Sequence, residues 1–283
     1  MAERLKVLVT GGAGLIGRTL VPMLTNFCDV THYDIAETHD GCPHIEGDVR
    51  DYEKVEMACE GMDMVVHMAA LHGPHWWKAG DEQTFEINVI GTRNVLEAAG
   101  KQDVRRVVYT SSLEAQGYQS PDAPFKIDEE VMVPPDSLYG LTKVLGEEIC
   151  RYATAKYGIS TLCMRPGWVQ SLNVPKEKYG AKLSGAVDVR DAAQAHALAL
   201  KAPESLKHEA FIVAGDSPLG KADAEKICEH PMETIEKLMP GFRELVEQEK
   251  FTPPEPLRYC SIEKARKILG YEPNHSFDLK DYQ

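Results

Sequence analysis

Tyr139 and Lys143 stand four residues apart in "YGLTK", inside a stretch whose apolar periodicity predicts a helix over residues 139–157. Residues at i and i+4 share a helix face, so the two side chains point the same way. Lys143 also precedes Glu147 by one turn, and a solvated Lys–Glu pairing would account for it without any chemistry. The alternative is acid–base work. A free phenol titrates near ~10 and is a poor base at neutral pH unless neighbouring positive charge favours its phenolate, which a lysine one turn away supplies.

A second constellation is "TGGAGLIG", residues 10–17, with Gly11, Gly14 and Gly17 in a GxxGxxG pattern and Leu15 and Ile16 between the last two. Glycines here permit a tight turn and let backbone N–H groups at a helix start face a pyrophosphate, and the last one lets helix and strand pack closely. Asp34 closes the next apolar run. A carboxylate there accepts both ribose hydroxyls of an adenosine and repels a 2′-phosphate, which favours NAD over NADP. Asp48, followed by Val49 in "GDVRD", reads either as an adenine contact or as a loop cap.

The elements that must position these groups follow from the hydrophobic pattern. Strands are predicted over residues 5–10, 29–34, 43–48, 63–70, 105–112, 160–166 and 209–215, and helices near 15–26, 51–60, 83–101, 139–157 and 189–202. That alternation argues a parallel sheet covered by helices on both faces, a Rossmann-type doubly wound α/β fold of about seven strands. Pro22 falls inside the first helix and should kink or shorten it. Beyond residue 215 the pattern is mostly helical, broken at "TPPEP" (252–256) and closing on "SIEKARKILG". We therefore expect a nucleotide-binding domain over 1–166 and 187–215, with a small substrate lobe over 167–186 and 216–283.

Composition narrows the function. The 283 residues are 43% hydrophobic and 27% charged, enough for one large domain with a small lobe. A net charge of −13 with no Lys/Arg-rich run counts against nucleic acid or an anionic membrane as partner. No run approaches the ~18 apolar residues of a membrane span, and the start "MAERLKVLVTGGAG" has no signal-peptide h-region, so the expected location is cytoplasmic. The seven cysteines are scattered without a CxxC, which suggests neither a disulfide framework nor a thiolate metal site.

The motifs stand in a telling order: "TGGAGLIG", Asp34, "GDVRD", "VVHMAA" (65–70), "INVIGTRNVLEAA" (87–99), "VVYTSS" (107–112), "YGLTK", "RPG" (165–167), "VDVRDAA" (187–193) and "KARKILGYEP" (264–273). Over nearly its whole length the chain resembles the extended short-chain dehydrogenases/reductases, the NAD-dependent epimerase/dehydratase family. The resemblance implies that Tyr139 and Lys143 are a catalytic pair with Ser112 as partner. The Tyr139 phenolate would take the proton of a substrate hydroxyl, Ser112 would hydrogen-bond the same oxygen, and the carbon-bound hydride would pass to NAD, whose ribose Lys143 would hold. It also implies that Met68, Ala69 and Ala70 run along the cofactor, that Asn88 lines its nicotinamide side and that Pro166 with Gly167 borders the carboxamide. Packing roles are the alternative for each. Glu114 aligns with a substrate contact, and Ser111 is a weaker one, since one of two adjacent strand residues faces away.

The segment "LHGPHWWKAG" (71–80) is expected as a loop over the site, offering His72 and Trp76 to a sugar-like substrate. His67, His72 and His75 match no familiar zinc spacing, and no metal is expected. The apolar stripes on helices 83–101 and 139–157 either belong to the core or, as in relatives, pair two copies into a four-helix bundle, giving a homodimer. Where sugar 4,6-dehydratases show Thr-Asp-Glu this chain has Ser112, Leu113 and Glu114, which removes the acid for a leaving hydroxyl. The short connection 167–186 leaves little protein to grip a nucleotide sugar. The expectation is thus an NAD-dependent dehydrogenase of a free sugar, sugar acid or related alcohol, similar to uronate dehydrogenases, with Arg165 or Lys78 as cation for an acid. A nucleotide-sugar epimerase and a non-catalytic NAD-binding regulator are the alternatives.

Overall fold

Val7, Leu8 and Val9 are all buried, as are Val65 with Val66, Val107 with Val108, and Leu162 through Met164. Consecutive buried apolar residues mark strands covered on both faces. The computed structural model describes residues 4–38, 40–250 and 252–282, so the outer limits of the expected domains, at 1 and 283, lie outside the described residues. The strands are β1 (Leu5–Thr10), β2 (Cys28–Asp34), β3 (His44–Glu46), β4 (Met64–His67), β5 (Arg106–Thr110), β6 (Lys126–Ile127), β7 (Ser160–Pro166), β8 (Val169–Gln170), β9 (Val187–Asp188), β10 (His208–Val213) and β11 (Tyr259–Cys260). Seven form one sheet in the order β10-β7-β5-β4-β1-β2-β3, and every pairing in it is parallel. The remaining four pair as β11 with β6 and β8 with β9.

The two faces follow the strand period of two. Val7, Val9, Val66 and Val108 pack with Leu20, Val21 and Leu24 of α1 (Gly17–Leu24) and with Ala192, Ala195 and Ala199 from the helix Val189–Leu200. Leu8, Val65, Val107 and Tyr109 point the other way, against α2 (Tyr52–Cys59) and the helices Thr92–Lys101 and Leu138–Tyr157. A third apolar cluster joins Phe125 and Leu183 to Leu219, Ile227, Ile235 and Phe242 from the mostly helical region after β10.

Three departures from expectation concern the site. Strand β4 stops at His67, so Met68, Ala69 and Ala70 leave the sheet as a loop. The expected loop 71–80 contains α3 (Gly73–Ala79), with Pro74 in its first turn, where a missing N–H costs nothing. The single helix expected over 83–101 is instead α4 (Asp81–Phe85), a π-helical turn over Glu86–Gly91 and α5 (Thr92–Lys101). Single π turns are frequent at functional sites, and this one carries Asn88. The long helix is α6 (Leu138–Tyr157), and the last one on the sheet is α7 (Val189–Leu200). Pro22 lies inside α1, which continues to Leu24, and the side chains of Thr25 and Asn26 donate to the Pro22 carbonyl.

Candidate active site

At the carboxyl edge of β1 the chain turns at Gly11, whose φ is +74° and whose added Cβ would lie 2.6 Å from the Ala69 backbone nitrogen. A Cβ on Gly17 would meet the Gly12 carbonyl oxygen at 2.4 Å, so helix and turn touch through hydrogen alone. Gly14 is exposed, and its nearest neighbour for a Cβ is the Gly11 carbonyl at 3.1 Å. This turn therefore offers open backbone to a ligand. Leu15 beside it is 42% exposed and Ile16 is half-buried. Gly12, outside the expected triplet, is also required, because a Cβ there would strike the His32 ring at 2.0 Å. Asp34 is tied to the same turn, accepting from the backbone N–H of Ala13 (2.9 Å) and of Ala36 (2.9 Å). A half-buried carboxylate beside a glycine turn is what an adenosine ribose requires, and these residues fit a dinucleotide.

Two further residues expected at the cofactor, Asp48 and Val49, follow β3. Asp48 faces Arg50, which donates to it at 2.7 Å from Nη2 and also pairs with Glu86 at 2.9 Å. Those hydrogen bonds from the Arg50 side chain hold the Asp48 carboxyl below the usual carboxylate range. Val49 is buried, and its side chain packs where a Cβ on Gly91 would meet it at 2.5 Å, so it presents backbone rather than side chain to any ligand.

The second wall is the loop after β4. Met68, Ala69 and Ala70 are half-buried, with the Met68 N–H bonded to the Thr10 carbonyl at 3.0 Å. His67 is sealed in the core between Thr10 Oγ1 (2.7 Å) and Thr92 Oγ1 (3.0 Å). Burial first, then the Lys143 charge, lowers its pKa to about 3, so it is a neutral packing residue. Asn88 is 1% exposed and clamps this loop: it accepts from the Leu71 N–H at 2.7 Å and donates to the Leu71 carbonyl at 2.9 Å and to Thr142 Oγ1 at 3.1 Å. With its amide bonded to Leu71 and Thr142, Asn88 ties this loop to the helix that carries Tyr139.

The expected trio converges. Ser112 ends the segment after β5, where its hydroxyl accepts from the Glu114 N–H at 3.2 Å. Tyr139 and Lys143 lie on the first turns of α6, whose start is capped by Ser137 accepting from the Gly140 N–H at 2.9 Å. Lys143 is 2% exposed, which removes the solvated pairing with Glu147. Its ammonium donates to the Thr110 carbonyl at 2.7 Å and lies 5.6 Å from the Tyr139 ring centroid and 5.1 Å from that of Tyr109. Burial lowers its pKa to about 8, opposed most strongly by Glu147. Burial, then Glu114, raises the Tyr139 phenol, and hydrogen bonding by Ser112 opposes that by favouring the phenolate. The Tyr139 phenol thus holds its proton at neutral pH unless further positive charge is placed beside it.

Around the trio, Glu114 is oriented by Ser137, whose hydroxyl donates to its carboxylate at 3.0 Å, and burial raises its pKa. Trp76 stacks on Tyr139 with centroids 6.2 Å apart and is pinned by its indole N–H to Asp81 at 2.9 Å. His72 lies 6.4 Å from the same ring. Pro166 is buried at the end of β7, and at Gly167 a Cβ would lie 1.8 Å from the Gly185 carbonyl, so only glycine lets the two connections cross. Two expectations are corrected. Ser111 turns away from the cleft and donates to Glu147 Oε1 at 2.5 Å, and Arg165 is buried in a bidentate pair with the same Glu147 at 2.8 and 2.7 Å. Neither can reach a substrate. Lys78 is exposed on α3.

Ser137 and Gly12 were not singled out in the sequence, and Glu147 was read there only as a solvated partner of Lys143. Ser137 was legible as a capping residue before an apolar run, while the partners of Glu147 come from distant strands. His32, Asp40 and Cys42 bring donor atoms within 4.8 Å of one another. A metal-bound imidazole normally donates through its second nitrogen, and His32 Nδ1 has no partner among the described residues. That set reads as a hydrogen-bonded His32–Asp40 pair, 2.8 Å apart, beneath the glycine turn.

A sequence model of the NAD dependent epimerase/dehydratase family matches residues 7–187. An L-arabinose 1-dehydrogenase (NAD(P)(+)) of Haloferax volcanii is 35% identical over 195 residues, which are 65% of this chain and 75% of that protein. A uronate dehydrogenase of Pseudomonas putida is 32% identical over 167 residues, 57% of this chain and 60% of that protein. In three dimensions, a short-chain dehydrogenase/reductase superfamily protein from Agrobacterium tumefaciens with bound NAD covers 98% of this chain and 94% of its own, at a TM-score of 0.73 and 23% identity.

Proposed function

The chain belongs to the NAD-dependent epimerase/dehydratase family, and from that premise we propose that it oxidises a hydroxyl of a small sugar, sugar acid or related alcohol. NAD, held at the glycine turn, Asp34 and the loop after β4, supplies the hydride acceptor. Tyr139 takes the proton from the substrate oxygen, and Ser112 hydrogen-bonds that oxygen from the opposite side. Burial keeps the phenol protonated even with the Lys143 ammonium one turn away, so the positive nicotinamide ring that NAD would bring must act together with Lys143 to favour the phenolate. An intact trio in one cleft speaks against a non-catalytic NAD-binding regulator.

The observation that carries the substrate class is the connection between β7 and α7. It holds only β8, β9 and a 3-10 segment over Lys176–Ser184, little protein to enclose a nucleotide diphosphate. Trp76 and His72 beside Tyr139 offer the flat and polar surfaces a sugar ring uses, and both dehydrogenases named above act on sugars or sugar acids. With Arg165 committed to Glu147, neutral sugars rank level with sugar acids. We assign residues 167–186 and 216–283 to a substrate lobe, supported by the separate apolar cluster around Phe242. We also propose a homodimer. A groove of about 710 Å³ runs between the π turn with α5 and α6, lined by Phe85, Ile90, Leu145 and Tyr152 among others. Phe85, Ile90 and Tyr152 are 37%, 38% and 59% exposed, so this face is not core. No helix among the described residues is long and apolar enough to cross a membrane, and we place the protein in the cytoplasm.

The test is a panel of free sugars, sugar acids, small alcohols and UDP- or dTDP-sugars with excess NAD, followed at the NADH absorbance and by product analysis. Turnover is expected in the first three classes only. Conversion of a UDP-sugar without net NADH would overturn this reading in favour of an epimerase with tightly held NAD.

A further inference from the structure

Glu147 sits one turn beyond Lys143, in a setting that costs stability unless it does something. It and Arg165 form an ion pair whose side chains are 13% and 6% exposed. Desolvating two charges offsets most of their attraction, and an apolar pair of similar size would join α6 to β7 as well. Arg165 is further fixed by donating to the Glu129 carbonyl at 3.1 Å. Ser111 donates to Glu147 from the segment that leads β5 into the site. That segment is therefore tied to α6 at three consecutive residues. The Thr110 carbonyl holds the Lys143 ammonium, the Ser111 hydroxyl binds Glu147, and Ser112 faces the Tyr139 phenol.

We propose that Glu147, held by Arg165 and Ser111, is a positioning residue for the Tyr139–Lys143 pair: its buried carboxylate keeps Lys143 an ammonium and pins the Thr110–Ser112 segment against α6. This rests on the reading of Tyr139 as the base. The groups around Lys143 leave Glu147 as its anion. Tyr139, Glu147 and Cys150 face it from α6, Tyr109 from β5, Cys163 from β7, His67 from β4 and His72 from the start of α3. The two tyrosines are raised by burial, Cys163 by its hydrogen bond with Cys150 and then by burial, and both histidines are lowered by burial, so all five are neutral near pH 7. Beyond Glu147 lie Arg165, which also faces Glu129, and His208, whose pKa burial lowers.

The sign of the effect is fixed. Glu147→Gln removes the anion and leaves the Arg165 charge offset only by Glu129 among its acidic neighbours, and both changes disfavour the ammonium of Lys143. Activity that requires charged Lys143 then falls off at lower pH than in wild type, by about one pH unit for loss of a nearby opposite charge. The experiment measures kcat/KM against pH with the fastest sugar of the panel, and the dissociation constant of NAD against pH by calorimetry, on the full chain. Expected are a downward shift of the alkaline limb in both readouts for Glu147→Gln and its return in Glu147→Asp. Ser111→Ala keeps the charge and should lower kcat without moving the limb. If Glu147→Gln does not fold, the double variant Glu147→Gln/Arg165→Met replaces the pair by neutral groups and should show a smaller shift in the same direction. An alkaline limb at the wild-type position in Glu147→Gln, or in the double variant where Glu147→Gln does not fold, overturns the proposal. A Tyr139→Phe control separates the two readings, since full activity there sinks the role of Tyr139 itself, whereas an inactive Tyr139→Phe with an unmoved limb sinks only that of Glu147.

Discussion

Replacing Asn88 by alanine deletes an amide that holds the cofactor loop to the catalytic helix. Three hydrogen bonds disappear: the Leu71 N–H at 2.7 Å, the Leu71 carbonyl at 2.9 Å and Thr142 Oγ1 at 3.1 Å. Thr142 keeps its own donation to the Tyr139 carbonyl at 2.7 Å, so its loss is partial. Leu71 is half-buried, so water can rescue its groups only in part. At about 1 kcal/mol per net hydrogen bond, rising to about 1–3 for a buried group left without a partner, the cost is about 3 kcal/mol. For a chain of this size that corresponds to a fall in melting temperature of about 6–12 °C. The assay is thermal unfolding followed by circular dichroism without ligand, with a calorimetric NAD titration on the folded variant. NAD should bind more weakly although Asn88 has no free group to offer it, because residues 68–71 lose their anchor. A melting point within about 2 °C of wild type with unchanged NAD affinity would refute the clamp.

Tyr139→Phe keeps the ring that stacks on Trp76 and removes the proton acceptor, so turnover should fall at least ~10²-fold with NAD affinity near wild type; retained activity in the sugar assay would rule out Tyr139 as base. Asp34→Ala removes the carboxylate that would meet the adenosine ribose, and the ratio of kcat/KM for NAD over NADP should drop towards parity; wild-type protein that used NADP as well as NAD would sink this assignment. Ile90→Glu puts a charge on the exposed groove between the π turn and α6 and should give a monomer by size-exclusion chromatography with light scattering, whereas an unchanged elution and mass would remove that face as the dimer contact.

Much of this protein was legible in its sequence because the signals are local. The strand limits at Leu5–Thr10 and Ser160–Pro166 came directly from apolar runs bounded by turn residues, and the remaining sheet strands within a few positions. The glycine turn, Asp34, and the Tyr139–Lys143 spacing depend on residues near each other in the chain, where backbone geometry alone fixes who can face whom. Where expectation and structure part, the deciding contact is distant. Asn88 reads as part of one amphipathic helix until Leu71 and Thr142 compete for its amide across a π turn. Ser111 and Arg165 look available for a substrate, and Glu147 looks like a surface partner of Lys143. They find one another only because strands β5 and β7 and helix α6 meet, and in a water-poor interior each of these polar groups must be matched before it can be buried. Local sequence set the side chains that could do the chemistry. Which charge is free, which is neutralised and which loop is held was decided by burial and by partners far along the chain, and these exist only once the sheet has formed.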